Sequence, residues 1–238
     1  MNSKEVIILA GGLGTRIEIL SNGLPKCLLE IGGRPFLEHL IAQFLSLGAE
    51  RIILAIANKA DQIIDFAIET FSKEIDEGTL IFSEEKIQSG TGGAVINALS
   101  KVKSEIFLVS NADTIIPNLS EKIWMNLQTN MNCLVFLSDM SGIRFRYFET
   151  DKTHIIGLLP ETTNSGKTSS GLVILRKSFL KRLELGPKFS LEEDVLIEQI
   201  NGLTVGYSMV GEFLDFGVPE DFARARRQYW GNKNSISR

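Results

Sequence analysis

Cysteine, positive charge and long apolar runs are all scarce in this sequence of 238 residues. Its two cysteines, Cys27 and Cys133, are too few for a disulfide scaffold and form no CxxC pair of the kind that binds zinc. Lysine and arginine total 25 against 29 acidic residues, so the formal net charge of -4 gives no basic field for nucleic acid. We therefore expect a protein of a reducing compartment without a nucleic-acid partner.

Membrane insertion is not expected either, because a membrane-spanning helix needs roughly 20 apolar residues. The apolar runs at residues 6–10, 52–57 and 106–109 are far shorter, and the N-terminal residues lack the features of a secretory signal. Hydrophobic residues nevertheless make up 44% of the chain, enough to bury a sizeable core. The composition predicts a globular cytoplasmic protein.

Strand and helix patterns alternate through the first half of the chain. Residues 6–9 form a β-branched run before a glycine pair, which is typical of a strand buried on both faces of a parallel sheet. Residues 35–47 place apolar side chains at helical spacing and end at Gly48. We predict further strands at 51–57, 80–82 and 106–110, and helices at 61–71 and 92–99. This alternation predicts a doubly wound α/β sheet that binds ligands beyond the carboxyl ends of its strands.

The second half of the chain has a mixed pattern. We predict helices near residues 119–128, 190–200 and 220–229, and strands at 133–137 and 171–175. No linker or repeat interrupts the sequence, so we predict one domain over residues 1–230 and a polar C-terminal tail at 231–238.

The densest chemical signal is the segment LAGGLGTR at residues 9–16. Glycines let the backbone approach an anion closely, and successive N–H groups in such a turn accept phosphate oxygens. Arg16 and Lys26 could neutralise a triphosphate. The spacing excludes a Rossmann dinucleotide fingerprint, and a Walker A loop before Lys167 would need a glycine where Glu161 stands. A simple tight turn is the alternative interpretation, but such a turn needs neither cation.

Four ordered motifs make the chain similar to the sugar-1-phosphate nucleotidyltransferases, which build nucleotide sugars from a nucleoside triphosphate. They are GGLGTR with PKCLLEIGGRPF at 11–36, SGTGGA at 89–94, NAD at 111–113 and DFGVPED at 215–221. The last motif, together with FSLEED at 189–194, most resembles the heptose-1-phosphate guanylyltransferases. The resemblance implies the nucleotide-diphospho-sugar transferase fold, a Rossmann-like, mixed and mainly parallel sheet flanked by helices.

The resemblance also implies the residues of a nucleotide site. Its nucleotide-binding positions here are Leu9, Ala10, Gly11, Gly12, Gly14, Thr15, Gln88, Gly90, Thr91, Gly92 and Gly93. It gives catalytic roles to Arg16, Lys26 and Asp113. The glycines of the second motif would pack against the base, with Gln88 or Glu84 as candidate readers of its edge. A helix N-terminus that needs flexible glycines would give the same pattern.

A magnesium ion is implied at Asp113 and Asp215. Two carboxylates suit a hard cation that keeps several waters and bridges substrate phosphates. A lone aspartate at a strand end more often caps a helix, so this role for Asp113 depends on the other motifs. In the implied reaction a sugar phosphate oxygen attacks the α-phosphorus in line and pyrophosphate leaves, with catalysis by positioning and charge neutralisation.

The acceptor side departs from the family pattern. Ser170, Gly171 and Glu192 stand at its sugar-phosphate positions, but RFRY at 144–147 replaces a Tyr-Gly pair and Pro160-Glu161 replaces a Glu-Lys pair. A carboxylate beside a phosphate is repulsive, so Lys167, Arg144 or Arg146 would have to supply the missing charge.

The resemblance therefore implies transfer of a nucleoside monophosphate to a sugar 1-phosphate, with pyrophosphate released. The best match is GMP transfer to a manno-heptose 1-phosphate, for surface-glycan synthesis such as capsule or lipopolysaccharide. Two alternatives stay open: cytidylyl or uridylyl transfer to another phosphorylated acceptor, and a regulatory module that binds nucleotide but is catalytically impaired. Homo-oligomerisation stays open as well.

Overall fold

The computed structural model describes residues 3–12, 14, 23–128, 130–142, 145–197, 200, 205–224 and 227. The strands within these residues are β1 Glu5–Leu9, β2 Glu30–Ile31, β3 Arg34–Pro35, β4 Arg51–Ile56, β5 Leu80–Glu84, β6 Ile106–Asn111, β7 Thr114–Ile115, β8 Cys133–Ser141, β9 Phe148–Thr150, β10 Ile155–Leu158, β11 Ser165–Arg176, β12 Val205–Met209 and β13 Leu214–Asp215. The α-helices among these residues include α1 Phe36–Ser46, α2 Ala60–Asp76, α3 Gly90–Ala98 and α4 Lys177–Leu180. Short 3-10 helices lie at Lys26–Leu28 and Glu121–Gln128, and a π-helix at Leu191–Ile197.

A nine-stranded sheet forms the centre of the protein. Its strands β5, β4, β1 and β6 are neighbours in that order and parallel, because α1, α2 and α3 each connect one strand to the next. Strand β11 continues the sheet antiparallel to β6 and also pairs with β8 and β9, beyond which lie β12 and β10. The predicted mixed sheet flanked by helices is confirmed.

Both faces of the parallel strands are buried, as their unbroken apolar sequence predicts. Along β1, Val6 and Ile8 pack into a layer that contains α1 and α2, whereas Ile7 packs into the opposite layer with α3 and the π-helix. Side chains alternate across a strand, so a run without polar residues fits only a strand that is covered on both sides.

Several elements differ from the sequence predictions. Helix α2 runs five residues past the predicted end at Phe71, where the backbone is locally non-helical. The predicted strand at 171–175 is part of the longer β11, and the predicted helices at 119–128 and 190–200 are a 3-10 helix and a π-helix. Residues 219–224 are helical, whereas the tail at 231–238 lies outside the described residues. No helix in the described part of the chain is long and apolar enough to cross a bilayer.

Candidate functional site

A cleft of about 280 Å³ opens at the carboxyl ends of β1 and β6. The two strands pair in register up to Leu9 and Asn111, so the segments that follow them enter the cleft together. The residues that line it are Leu9, Ala10, Gly11, Gly12, Gly14, Lys26, Cys27, Glu85, Gln88, Gly90, Thr91, Ala94, Asn111, Ala112 and Asp113. The structure thus brings together most of the nucleotide-binding and catalytic residues predicted from the sequence. Thr15 and Arg16 lie outside the described residues.

At two positions of the first motif, neighbouring atoms come so close to the backbone that a side chain would not fit. A Cβ on Gly11 would lie 3.0 Å from the backbone nitrogen of Ala57, which follows β4. Gly14 has a φ of +65°, and a Cβ there would lie 3.1 Å from the Cβ of Lys26. The absence of side chains therefore lets Gly11 pack against the end of β4 and lets Gly14 pack against the aliphatic part of Lys26.

Lys26 and Asp113 form an ion pair within the cleft. The Nζ atom of Lys26 lies 2.5 Å from Oδ2 of Asp113, and the two side chains are 16% and 33% exposed. The hydroxyl of Thr114 donates to Oδ1 of Asp113 at 3.2 Å. Lys26 starts a 3-10 helix after Pro25, and Asp113 follows β6. The fold thus joins residues 87 positions apart, and both charges remain accessible to a ligand.

Asp215 lies on the strand next to Asp113. In the antiparallel pair β7–β13 it stands opposite Thr114, and the backbone N–H of Phe216 donates to the carbonyl of Asp113 at 3.2 Å. An oxygen of the Asp215 carboxylate accepts from the N–H of Gly217 at 2.5 Å. Among the described residues no cluster of three or more metal-ligating side chains occurs. Of the two predicted metal ligands, Asp113 lines the cleft and Asp215 does not, so the two are linked here through backbone pairing. The chemistry of the donors suits Mg²⁺, which takes one or two protein carboxylates and completes its shell with water and substrate phosphates.

Gln88 connects the second motif to the first. Its side-chain amide donates to the carbonyl of Gly11 at 2.7 Å. Glu85 also lines the cleft, and its carboxylate accepts from the hydroxyl of Ser89. Glu84, the other predicted reader of the base, is exposed and does not line the cleft. The side chains that border this part of the cleft are therefore those of Gln88 and Glu85.

The glycines of the second motif separate into two groups. Gly90 and Thr91 line the cleft, whereas Gly92 and Gly93 are buried at the start of α3. The Gly92 N–H donates to the carbonyl of Phe189 at 3.1 Å, and a Cβ on Gly92 would overlap the Phe189 ring. The hydroxyl of Thr91 accepts from the N–H of Leu191 at 2.9 Å. Packing against the segment before the π-helix thus requires Gly92, whereas a Cβ on Gly93 would overlap the side chain of Ser89. The same helix start presents Gly90 and Thr91 to the cleft.

The three predicted sugar-phosphate residues have different surroundings. Ser170 is 2% exposed, and its hydroxyl donates to the carbonyl of Phe136 at 2.9 Å rather than lining the cleft. Gly171 has a φ of +73° and packs behind Asn111 and Thr114, next to the Asp113 edge. Burial raises the pKa of Glu192, and the neighbouring carboxylate of Glu193 raises it further. Their assignment to an acceptor site remains a prediction.

Two of the candidate replacement cations, Lys167 and Arg146, do not line the cleft. Lys167 donates from Nζ to the Thr150 hydroxyl at 3.0 Å and lies 5.6 Å from the centre of the Tyr207 ring. Arg146 pairs with Glu193 at 2.6 Å. Arg146 also borders a second cavity, of about 510 Å³, together with Pro160 and Glu161. Arg144 lies outside the described residues.

The sequence motifs contain Phe216 and Asn111 but give neither a role. The Phe216 ring lies beneath the Lys26 ammonium, and Asn111 lines the cleft beside Asp113. Glu85 also lines the cleft, whereas only its neighbour Glu84 is a candidate from the sequence. Their positions within or beside the quoted motifs are the signal that could have identified them.

Both thiols are expected to be inert in the folded protein. Burial raises the pKa of Cys27 and the pKa of Cys133 to about 12, although Cys27 adjoins Lys26. Because the thiolate is the reactive form, Ellman's reagent at pH 8 should label neither thiol within minutes. In guanidinium chloride both should react, which supplies the control. Rapid labelling of one thiol in the folded protein would contradict this burial.

Comparison with known proteins gives consistent matches over most of the chain. The family model described as MobA-like NTP transferase domain matches residues 6–182. The D-glycero-alpha-D-manno-heptose 1-phosphate guanylyltransferase of Campylobacter jejuni is 30% identical over 221 residues, which cover 92% of this chain and 96% of that protein. The protein of the same name from Aneurinibacillus thermoaerophilus is 28% identical over 228 residues, covering 94% and 97%.

A solved structure has a similar fold over the same extent. HddC from Yersinia pseudotuberculosis, complexed with GMP-PN, superposes with a TM-score of 0.79 at 30% identity. The superposition covers 96% of this chain and all of that chain.

Proposed function

Because the chain belongs to the MobA-like NTP transferase domain family and is a nucleotidyltransferase, we propose that it transfers GMP from GTP to a sugar 1-phosphate. Pyrophosphate is the second product. The acceptor is a manno-configured heptose 1-phosphate, and the GDP-sugar product serves surface-glycan synthesis such as capsule or lipopolysaccharide.

The observation that carries this proposal is the near end-to-end match to two heptose 1-phosphate guanylyltransferases. A match of this extent leaves little sequence outside the shared fold. The structure of HddC was solved in complex with GMP-PN, whose name indicates a guanine nucleotide. This complex supports GTP as the nucleotide substrate. The cleft contributes the chemistry, since it combines a glycine loop, a lysine and a carboxylate.

In this proposal the cleft residues have separate roles in phosphoryl transfer. Residues 9–12 and Gly14 present their backbone to the phosphates, and Gln88 holds this segment through a hydrogen bond to the carbonyl of Gly11. Lys26 neutralises charge that develops as a sugar phosphate oxygen bonds to the α-phosphorus and the bond to the pyrophosphate breaks. No covalent intermediate with the protein is needed. Positioning and charge neutralisation supply the catalysis.

We propose that Asp113 and Asp215 hold a magnesium ion together with the nucleotide. Their carboxylates arise on segments paired through β7 and β13, and Asp113 reaches the cleft. When bound, the ion would neutralise phosphate charge and polarise the reacting phosphorus. Arg16 completes the charge around the triphosphate in this proposal.

We place the acceptor near Gly171 and Glu192, with Ser170 stabilising β11 next to Gly171 through its hydrogen bond to Phe136. The proposal keeps one catalytic domain over residues 1–230, followed by the tail at 231–238. It also places the reaction in the cytoplasm, because two buried free cysteines suit a reducing compartment. A homo-oligomer is compatible with the proposal but not required by it.

A substrate panel tests the proposal. Purified protein is incubated with Mg²⁺, each of the four nucleoside triphosphates and a set of sugar 1-phosphates that includes manno-heptose and mannose. Pyrophosphate release is expected with GTP and the heptose, and less of it with mannose. Release only with CTP or UTP would contradict the assigned base. Nucleotide binding by calorimetry without pyrophosphate from any pair would favour the impaired regulatory module.

A further inference from the structure

The Phe216 ring lies against the Lys26 ammonium. The Nζ atom is 5.3 Å from the ring centroid, within the roughly 6 Å over which an aromatic face attracts a cation. We infer that Phe216 is a positioning residue, whose ring holds the ammonium where it meets the phosphates of the nucleotide. This inference rests on the role that the proposed function gives to Lys26.

Packing fixes the ring in place. Phe216 is fully buried, and its centroid lies 4.3 Å from that of Phe36 in an edge-on arrangement. Phe222 packs on it at 5.9 Å. Because Phe36 is the first residue of α1, movement of the Phe216 ring would disturb the start of that helix. The aromatic contacts therefore make the ring a rigid support.

The backbone also ties this support to the carboxylate that pairs with the lysine. The N–H of Phe216 donates to the carbonyl of Asp113 at 3.2 Å, and the Asp113 side chain contacts Nζ of Lys26 at 2.5 Å. The lysine head thus lies between a carboxylate and an aromatic face that belong to directly bonded segments. This hydrogen bond fixes the backbone of Phe216 relative to the backbone of Asp113.

The two partners respond differently to an incoming nucleotide. A phosphate and the Asp113 carboxylate are both anions, so they compete for the same ammonium. The ring carries no net charge, and a phosphate does not compete for its face. Lys26 can therefore exchange Asp113 for phosphate while it stays in contact with the ring. Without the ring, its long flexible stem would hold the head less firmly.

Replacing the ring by an aliphatic side chain measures this effect. In Phe216→Leu we expect kcat for pyrophosphate release to fall about tenfold, while KM for GTP changes by less than about twofold. Phe222→Leu is the matched control, since it removes a ring of equal size from the same aromatic cluster. It should lower the melting temperature to a similar extent but leave kcat within about twofold.

Fluorination separates electrostatics from packing. Fluorine withdraws electron density from the ring face but changes ring size little. Phe216 is replaced in turn by 4-fluoro-, 3,4-difluoro- and 3,4,5-trifluorophenylalanine. We expect kcat to fall stepwise, to about a fifth with three fluorines, at a nearly constant melting temperature. A constant kcat across the series, or equal losses in Phe216→Leu and Phe222→Leu, would overturn the inference.

A measurement without turnover completes the test. In protein labelled with ¹³C-lysine, the ring current of Phe216 should shift the ε-methylene resonance of Lys26, and Phe216→Leu should abolish this shift while Phe222→Leu keeps it. A shift that is unaffected by Phe216→Leu contradicts the geometry. Absence of pyrophosphate from the unsubstituted protein overturns the proposed function instead, so the two failures are distinguishable.

Discussion

Asp113→Asn is expected to abolish most turnover while the protein still folds. The change removes the charge that pairs with Lys26 and that would bind magnesium. Because a bound metal ion contributes several kcal/mol of transition-state stabilisation, we expect kcat to fall on the order of 10³-fold. Pyrophosphate release at saturating GTP and Mg²⁺ measures this loss.

Folding should survive because the Asp113 side chain is one-third exposed. Its amide replacement can still accept the hydroxyl hydrogen bond from Thr114, and a partly exposed ion pair contributes about 1 kcal/mol or less. Asp65→Asn, on the exposed face of α2, is the matched control and should keep full activity. Full activity in Asp113→Asn, with the dependence on magnesium unchanged, would remove Asp113 from the site.

Lys26→Met is expected to have the second largest effect. Methionine keeps an unbranched apolar stem between Gly14 and Phe216 but removes the ammonium. Loss of one preorganised charge or donor at the reacting phosphate typically costs 10²–10³-fold, so we expect a fall in kcat on the order of 10²-fold. KM for GTP should rise less than kcat falls, because the ammonium acts mostly on charge that develops in the reaction.

The control for Lys26→Met is Lys101→Met, at an exposed position after α3. A double variant adds a sharper test. Residues that act as one unit give non-additive losses, so Lys26→Met combined with Asp113→Asn should lose less than the product of the two single losses. Strictly multiplicative losses would mean that the 2.5 Å pair does not function as a unit.

The parallel strands could be predicted because a strand that is buried on both faces is a short, unbroken run of apolar residues. Residues 6–9, 51–57 and 106–110 are short apolar runs, and each matches an observed strand within a residue or two. The shorter strands β7, β9 and β13 carry no such signal. They contain two or three residues, and partners distant in sequence stabilise them.

The fold class and most of the loops that line the cleft could be predicted from the sequence. These features are recognisable from a few consecutive residues: the spacing of the glycines, the lysine after Pro25 and the aspartate after β6. Tertiary structure alone decided which groups meet. It placed the Lys26 ammonium between Asp113 and the Phe216 ring, and it directed the Ser170 hydroxyl into the sheet. These contacts join segments far apart in the chain, and their geometry depends on packing and register, which no local pattern encodes.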